Sequence, residues 1–119
     1  MKNKKMKSIF EKYLGKKVKV VVDRPLGSKH PKFDMVYPVN YGYVPGTKAP
    51  DGEEIDAYIL GVEKPIEKFA GRVIAIIHRL NDNDDKLVVS RAGKSFSDEQ
   101  IKELTNFQER YFKSEILRM

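Results

Sequence analysis

Runs of alternating or continuous apolar residues recur along the chain and predict short β-strands. In residues 17–23 lysine alternates with valine before the segment becomes continuously apolar, and residues 55–60 show a similar period of two. Residues 72–78 form the most hydrophobic run, so we expect them to be the central strand. A polar turn at 81–85 leads into residues 86–90, and this succession predicts a hairpin.

One helix is predicted near the C-terminal end, where apolar residues recur at helical intervals. Ser97 is a suitable N-cap, and Gln100 stands where the partner residue of a capping box is expected. The face that should pack on the sheet carries Ile101, Leu104, Phe107 and Tyr111. Several short strands and one helix predict a small, closed or nearly closed antiparallel sheet with a helix packed on it.

Residues 1–15 are predicted to be a basic N-terminal extension, in which residues 8–14 have the spacing of a short helix that Gly15 would end. Residues 16–119 would then form a single domain, because a chain of 119 residues is long enough for one hydrophobic core but too short for two. No apolar stretch approaches the length of a membrane-spanning helix, so contact with a membrane is not expected.

The formal net charge of +6 is concentrated at the N-terminal end, where residues 1–19 contain eight lysines and one acid. A solvated basic arm explains this pattern, and contact with nucleic acid is the functional alternative. Cysteine is absent, which excludes disulfides, thiolate nucleophiles and thiolate zinc sites. We therefore expect a reducing, intracellular environment and interpret the protein as cytoplasmic.

Four carboxylates occur within residues 51–56, around a tight turn that leads into a strand. An Asp-Gly turn with solvated acids is a common hairpin and requires no function. Four negative charges in so short a segment nevertheless repel one another unless water, basic side chains or metal ions neutralise them. The turn would bring Asp51 and Glu53 back over Asp56, so we interpret this segment as a site for divalent cations.

A second acidic cluster, at residues 82–85, lies on the predicted hairpin and would meet the first cluster at one end of the sheet. Carboxylates with retained water suit Mg²⁺, and paired ions activate water for phosphoryl transfer. An EF-hand is excluded because Lys86 stands where that loop needs an oxygen ligand. The sequence contains no phosphate loop, nucleophile elbow or dinucleotide-binding glycine pattern, so metal-assisted phosphoryl transfer is the chemistry it favours.

Two blocks of the sequence resemble the soluble family I inorganic pyrophosphatases. Residues 37–43 read Tyr-Pro-Val-Asn-Tyr-Gly-Tyr, which is similar to the family's Tyr-Pro-x-Asn-Tyr-Gly-Tyr. Residues 51–56 read Asp-Gly-Glu-Glu-Ile-Asp, which is similar to its Asp-Gly-Asp-Pro-x-Asp. Residues 23–25, 32–34 and 84–88 are similar to three further segments of the family.

The resemblance covers about residues 18–111. It implies a mainly β (α+β) fold, an OB-like five-stranded antiparallel β-barrel with the C-terminal helix packed on it. It also implies dependence on several Mg²⁺ ions and hydrolysis of inorganic diphosphate to two phosphates by metal-activated water.

Roles for individual residues follow from the same resemblance. The metal ligands would be Asp51, Asp56, Asp84 and Asp82, with Asn81 as the alternative to Asp82. Glu53 would be the catalytic acid that assists the attacking water, and Asp23 would support the site. The residues that would contact phosphate or order the site are Lys32, Tyr41, Lys86 and Tyr111.

Three features depart from the family pattern. Glu53 stands where an aspartate is expected, and its longer side chain moves the carboxylate. The family's hairpin after Asp34 is missing together with its phosphate-binding arginine, and Phe112 stands where a lysine is expected. Arg24 and Arg79 are the candidates to replace that arginine.

Two alternatives follow from these departures and from the charge pattern. The chain would be a catalytically weakened homologue that binds or hydrolyses another diphosphate-containing or nucleotide ligand, or it would bind nucleic acid through an OB-like barrel and its basic arm. The acids at 51–56 argue against nucleic acid. The expected partner is therefore the diphosphate substrate, and assembly into a homo-oligomer is left open.

Overall fold

A barrel of short strands with one α-helix against it makes up the fold. The computed structural model describes residues 7–82 and 84–119. A short 3₁₀ helix, Ile9–Tyr13, comes first. The later elements are β1 (Lys17–Arg24), β2 (Asn40–Val44), β3 (Ile55–Leu60), β4 (Lys68–Arg79), β5 (Lys86–Ser90), α1 (Asp98–Glu109) and β6 (Ser114–Leu117). No helix in this described part of the chain is long and apolar enough to span a membrane.

Five of the strands close into a barrel in the order β1-β2-β3-β5-β4. The first half of β4 pairs with β1, which closes the barrel, and its second half pairs with β6. The other edge of β4 pairs with β5. The predicted five-stranded barrel with a C-terminal helix is therefore confirmed, and residues 72–78 lie in the strand with the most neighbours, as expected.

One strand pair departs from the predicted antiparallel arrangement. β3 and β5 run parallel, with Ala57 opposite Leu87 and Ile59 opposite Val89. After β3 the chain crosses to β4 and returns through a hairpin, so β5 fills the space between β3 and β4 and runs in the direction of β3. The expectation of an entirely antiparallel barrel is wrong at this pair. The parallel register sets the first residues of the two strands side by side.

Apolar side chains cover both faces of the barrel wall. Residues from all five barrel strands form one cluster inside the barrel, and a second cluster on the outer face packs under α1. β3 shows the alternation, because Ala57 and Ile59 belong to the inner cluster while Tyr58 and Leu60 belong to the outer one. Polar side chains that extend from these strands must therefore find partners within the protein.

α1 begins where the sequence predicts, but only three of the four residues expected on its packed face lie there. The expectation for Tyr111 is wrong, because the helix ends at Glu109 and Tyr111 is 65% exposed. The Ser97 hydroxyl accepts a hydrogen bond from the backbone N–H of Gln100 (3.1 Å), and the Gln100 side chain accepts one from the backbone N–H of Ser97 (2.8 Å). Ile101 is buried in the outer cluster, with Leu104 and Phe107 packed beside it. The helix thereby covers part of the outer face of the barrel, on which β3 and β5 lie side by side.

The segment before β1 contributes to the core. Phe10 is only 2% exposed and belongs to the inner cluster. Ser8 caps the 3₁₀ helix, and its hydroxyl donates a hydrogen bond to the Asp85 carboxylate (2.6 Å). The helix predicted within residues 8–14 is thus present as a 3₁₀ helix. The domain boundary after residue 15 stays a prediction, and residues 1–6 of the predicted extension lie outside the described residues.

Gly42 of β2 has no room for a side chain, because a Cβ atom there would collide with the backbone carbonyl of Val21 on β1. Gly42→Ala should therefore push β1 and β2 apart and lower the free energy of unfolding by about 3 kcal/mol. Urea unfolding followed by circular dichroism measures the loss. Gly93→Ala is the control, since its site is open and only the left-handed backbone costs about 1 kcal/mol. Equal losses would contradict the close approach of β1 and β2.

Candidate active site

A pocket of about 530 Å³ opens beside the starts of β3 and β5, between the barrel and the end of α1. Six of the residues predicted for the site line it, namely Asp23, Tyr41, Asp56, Asp84, Lys86 and Tyr111. Its wall also contains Arg79, Gln108 and Phe112. Barrel closure thus gathers residues from β1, β2, β3, β5 and the segment after α1 in one place.

Lys86 is the buried cation at the centre of this pocket. Its ammonium Nζ lies 2.8 Å from Asp56 Oδ2 and 2.9 Å from Asp84 Oδ2, and the residue is only 2% exposed. The parallel pairing of β3 and β5 sets Asp56 beside Lys86, and Asp84 reaches back from the turn before β5. Burial alone would lower the pKa of Lys86, but the two carboxylates outweigh it and hold that pKa above its ordinary value. Lys86 is therefore charged at physiological pH.

Tyr41 lies against this ammonium, with Lys86 Nζ 5.7 Å from the centre of its ring. The ring of Tyr41 also packs on Tyr37 and Tyr58, at centroid distances of 5.6 and 4.9 Å. Burial raises the pKa of Tyr41 well above its ordinary value, and the neighbouring Asp56 acts in the same direction. Tyr41 therefore offers a neutral hydroxyl beside a buried cation.

Arg79 supplies a second buried cation at the end of β4. Its Nε donates a hydrogen bond to Glu109 Oε1 (3.0 Å), and its Nη2 donates one to Glu109 Oε2 (2.8 Å). The Tyr58 hydroxyl donates a third to Glu109 Oε2 (2.6 Å), and the guanidinium carbon lies 3.6 Å from the centre of the Phe112 ring. Burial opposes the charge of Arg79, but Glu109 outweighs it and holds the pKa of Arg79 above its usual range. This pair ties β4 to the last turn of α1.

The remaining terminal nitrogen of Arg79 faces the acidic hairpin between β4 and β5. Nη1 lies 3.5 Å from Asp82 Oδ2 and 3.5 Å from Asp84 Oδ2. These distances are longer than ordinary hydrogen bonds, so the contacts are weaker than those with Glu109. Asp84 Oδ2 is thus shared between Lys86 and Arg79.

Two of the predicted residues lie at the rim of the pocket. Tyr111 is 65% exposed and follows the end of α1. Asp23 lies near the end of β1. Partial burial raises the pKa of its carboxyl above the ordinary value, Arg24 acts in the opposite direction, and Asp56 acts in the same direction as burial. Their roles in contacting phosphate and in supporting the site stay predictions.

Four residues predicted for the site do not line the pocket, namely Lys32, Asp51, Glu53 and Asp82. All four are exposed. The Asp51 carboxylate accepts a hydrogen bond from the backbone N–H of Glu53 (2.9 Å), and the Asp82 carboxylate accepts one from the backbone N–H of Asp84 (2.9 Å). Both acids therefore stabilise their own turns. The assignment of these four residues as metal ligands, catalytic acid and phosphate contact stays a prediction.

The oxygen atoms around Lys86 suit a hard divalent cation. Asp56 and Asp84 each direct one oxygen at the same ammonium, so the two carboxylates already converge on a cation. Mg²⁺ is commonly held by one or two carboxylates, with water and phosphate oxygens as its other ligands. Within residues 7–82 and 84–119, no three His, Cys, Asp or Glu side chains are grouped as a complete metal site. Asp56 and Asp84 are therefore the residues whose chemistry would suit one ion, and the binding of that ion, like that of further ions, stays a prediction.

The network that holds Arg79 was missed at the level of the sequence. Arg79 was one of two candidates for the missing arginine, but its partner Glu109 was not singled out. A signal was present, because Ile101, Thr105 and Glu109 recur every four residues and all lie on the buried face of α1. A carboxylate on a buried helix face requires a cation or a hydrogen-bond donor.

Two comparisons of the sequence with known proteins find similarity to inorganic pyrophosphatases. A family model described as inorganic pyrophosphatase matches residues 2–117. Soluble inorganic pyrophosphatase 2 of Chlamydomonas reinhardtii is 31% identical over 119 residues, a match that covers 85% of this chain and 62% of that protein. The chain thus spans less than two thirds of the length of this curated relative.

Solved structures share the barrel fold. Inorganic pyrophosphatase from Ehrlichia chaffeensis superposes with a TM-score of 0.69 at 19% identity, over 88% of this chain and 87% of that chain. Inorganic pyrophosphatase from Neisseria gonorrhoeae superposes with a TM-score of 0.62 at 24% identity, over 86% of this chain and 80% of that chain. At these identities the likeness shows a common fold.

Glu109→Gln should destabilise the protein, because Arg79 would keep its charge in a buried place without its carboxylate partner. The expected loss in the free energy of unfolding is about 3 kcal/mol, measured by urea denaturation. Glu103→Gln, which changes an exposed acid on the same helix, should alter it by less than about 0.5 kcal/mol. Similar losses in the two variants would show that the ion pair with Arg79 is unimportant for stability.

Tyr41 and Tyr58 should stay protonated in alkaline solution for as long as the protein is folded. Burial raises the pKa of both, and Glu109 further raises that of Tyr58. The native state therefore holds these protons more tightly than the unfolded chain, and stability should fall as the pH rises above about 10. Ultraviolet absorbance of tyrosinate should be lower in the native than in the unfolded protein at one pH, and Tyr58→Phe should reduce this difference. Equal absorbance in both states would contradict the prediction.

Proposed function

The chain belongs to the inorganic pyrophosphatase family, and from this premise we propose that it hydrolyses inorganic diphosphate to two phosphates with the help of Mg²⁺. The observation that carries the proposal is the pocket in which Lys86 lies between Asp56 and Asp84, with Tyr41 and Arg79 beside it. Two buried cations suit a highly charged anion, and two converging carboxylates suit the metal that accompanies it.

Asp56 and Asp84 are the residues that would hold Mg²⁺, since their oxygens already share one cation. When bound, Mg²⁺ supplies Lewis-acid stabilisation of phosphoryl oxygens and lowers the pKa of its bound water. With Mg²⁺ on these carboxylates, the ammonium at the end of the flexible Lys86 side chain would be free to contact a phosphate oxygen, whereas Arg79 is held in place by Glu109. The binding of more than one Mg²⁺ ion is part of the same proposal.

The other work of the pocket is to bind diphosphate and stabilise the charge that develops on it. The oxygen of water forms a bond to one phosphorus, the bridging P–O bond breaks, and its electron pair stays with the departing phosphate. Lys86, Arg79 and the Tyr41 hydroxyl line the place where this charge would develop. The proton of the attacking water goes to a base, for which Glu53 on the turn before β3 is the predicted residue.

The proposal includes the setting in which the chain acts. A cytoplasmic location is consistent with the lack of cysteine. Diphosphate is favoured over nucleic acid as the partner, because the pocket combines three cations, Arg24, Arg79 and Lys86, with three carboxylates, Asp23, Asp56 and Asp84. Three carboxylates in one pocket repel the phosphate backbone of a nucleic acid unless metal ions lie between them.

Asp56→Asn should remove most of the Mg²⁺-dependent release of phosphate from diphosphate, because it neutralises one of the two carboxylates that converge on Lys86. The expected loss in kcat/KM is about 100-fold or more, since metal-based charge stabilisation contributes several kcal/mol. A colorimetric phosphate assay with and without Mg²⁺ measures this loss, and circular dichroism checks that the variant is folded.

Glu54→Gln is the matched control, because Glu54 is an exposed acid two residues before Asp56 and has no assigned role. This variant should keep wild-type turnover. No Mg²⁺-dependent turnover in purified wild-type protein, or full turnover in Asp56→Asn, would reject the proposed activity. Binding of diphosphate with Mg²⁺ but without turnover would identify a binding module instead.

A further inference from the structure

Arg79 is a cation that the fold holds rigidly in the wall of the pocket. It is 4% exposed, forms two hydrogen bonds with Glu109, and lies over the ring of Phe112. Glu109 is held in turn by the hydroxyl of the fully buried Tyr58. These contacts fix both the position and the plane of the guanidinium. They also leave Nη1 directed towards the acidic hairpin.

The acidic hairpin is therefore neutralised by the chain itself. Nη1 of Arg79 lies 3.5 Å from one oxygen of each of Asp82 and Asp84, and Lys86 Nζ lies 2.9 Å from the same oxygen of Asp84. Asp82 and Asp84 are two of the acids predicted to bind metal. The positive charge that Asp82 and Asp84 share is therefore a guanidinium.

A guanidinium stays charged at every physiological pH, so Arg79 cannot lose its charge to make room for a metal ion. Nor can it move away without leaving Glu109 as an unpaired buried carboxylate, which is strongly unfavourable. A second divalent ion bound at Asp82 and Asp84 would therefore lie within a few ångströms of a fixed like charge. The Coulomb repulsion at such a distance is large in a partly buried site.

We propose that Arg79 is a fixed cation that replaces a divalent metal ion at Asp82 and Asp84 and binds a phosphate group of diphosphate through Nη1. This role, which rests on the proposed function, identifies the residue with which the same pocket recognises its substrate. The contacts of Nη1 with the two carboxylates are long, at 3.5 Å, and both carboxylates are accessible to solvent. Nη1 can therefore readily exchange them for a shorter, charge-assisted hydrogen bond to a phosphate oxygen. The pocket then needs fewer metal ions than its acids suggest.

Phe112 supports this role. Its ring covers one face of the guanidinium at 3.6 Å, which keeps water from that face and adds a cation–π attraction. Both residues line the pocket, so the covered cation faces the space that a ligand would fill. A partly dehydrated guanidinium binds an anion more strongly than one in bulk water.

The test measures binding separately from turnover. Isothermal titration calorimetry gives the affinity of the metal-free protein for Mg²⁺ and the affinity of the Mg²⁺-loaded protein for imidodiphosphate, an analogue whose P–N–P bridge resists hydrolysis. The main variant combines Arg79→Gln with Glu109→Gln, so that neither residue remains as an unpaired buried charge. The control combines Arg91→Gln with Glu103→Gln, which makes the same charge changes at exposed positions.

In the variant at 79 and 109, the affinity for imidodiphosphate should fall about tenfold, because one charge-assisted hydrogen bond is lost. Its affinity for Mg²⁺ should rise, because Asp82 and Asp84 are no longer paired with a guanidinium. The control should keep both wild-type affinities. A wild-type affinity for either ligand in the variant at 79 and 109 would overturn the proposal.

Arg79→Lys decides the question if the double variant does not fold. It keeps the positive charge but loses the planar fork of donors, so imidodiphosphate should bind more weakly while the affinity for Mg²⁺ stays close to that of the wild type. Unchanged affinity for imidodiphosphate would overturn the proposal. Phosphate release is measured separately. If the wild-type protein does not hydrolyse diphosphate but the expected changes in affinity are found, the proposed activity is rejected and the role of Arg79 is supported.

Discussion

The burial of two charged side chains, Lys86 and Arg79, is the constraint on which the rest of the pocket depends. A charge removed from water must be paired with oxygen atoms in a suitable geometry, or it destabilises the fold. Lys86 meets this requirement through Asp56 and Asp84, and only because β3 and β5 run parallel and in register. A slip of one residue between these strands would turn Lys86 towards the barrel interior. Strand topology and the chemistry of the pocket are therefore inseparable here.

The second cation connects the barrel to the helix. Arg79 at the end of β4 is bonded to Glu109 in the last turn of α1, and Glu109 accepts a further hydrogen bond from Tyr58 of β3. The apolar face of α1 and this polar network therefore position the helix together. Since Phe112 follows the helix and covers the guanidinium, the segment after α1 also becomes part of the pocket. A helix that is needed for the core thus also positions a cation beside the acidic hairpin.

Much of the fold was predictable because its elements depend on spacing within a few residues. The capping box of Ser97 and Gln100 and the hydrophobic run of the central strand were both identified correctly. The parallel pair was not predictable, because its direction depends on which strand fills the space between β3 and β4. Of the predicted site, the pocket gathers Asp56, Asp84 and Lys86, whereas Asp82 and the acids on the exposed turn before β3 do not line it.

The sequence by itself determined where β1, β3, β4, β5 and the helix lie, which residues carry negative charge, and to which family the chain is similar, whereas β2 and β6 were not predicted. These features follow from local periodicity, turn chemistry and short motifs, all of which act over a few residues. Only the tertiary structure decided that Arg79 pairs with Glu109, thirty positions away, and that Lys86 lies between Asp56 and Asp84. Such contacts depend on barrel closure and on the docking of α1. Both are driven by the burial of apolar surface from segments far apart in the sequence, and no local pattern shows which segments will meet.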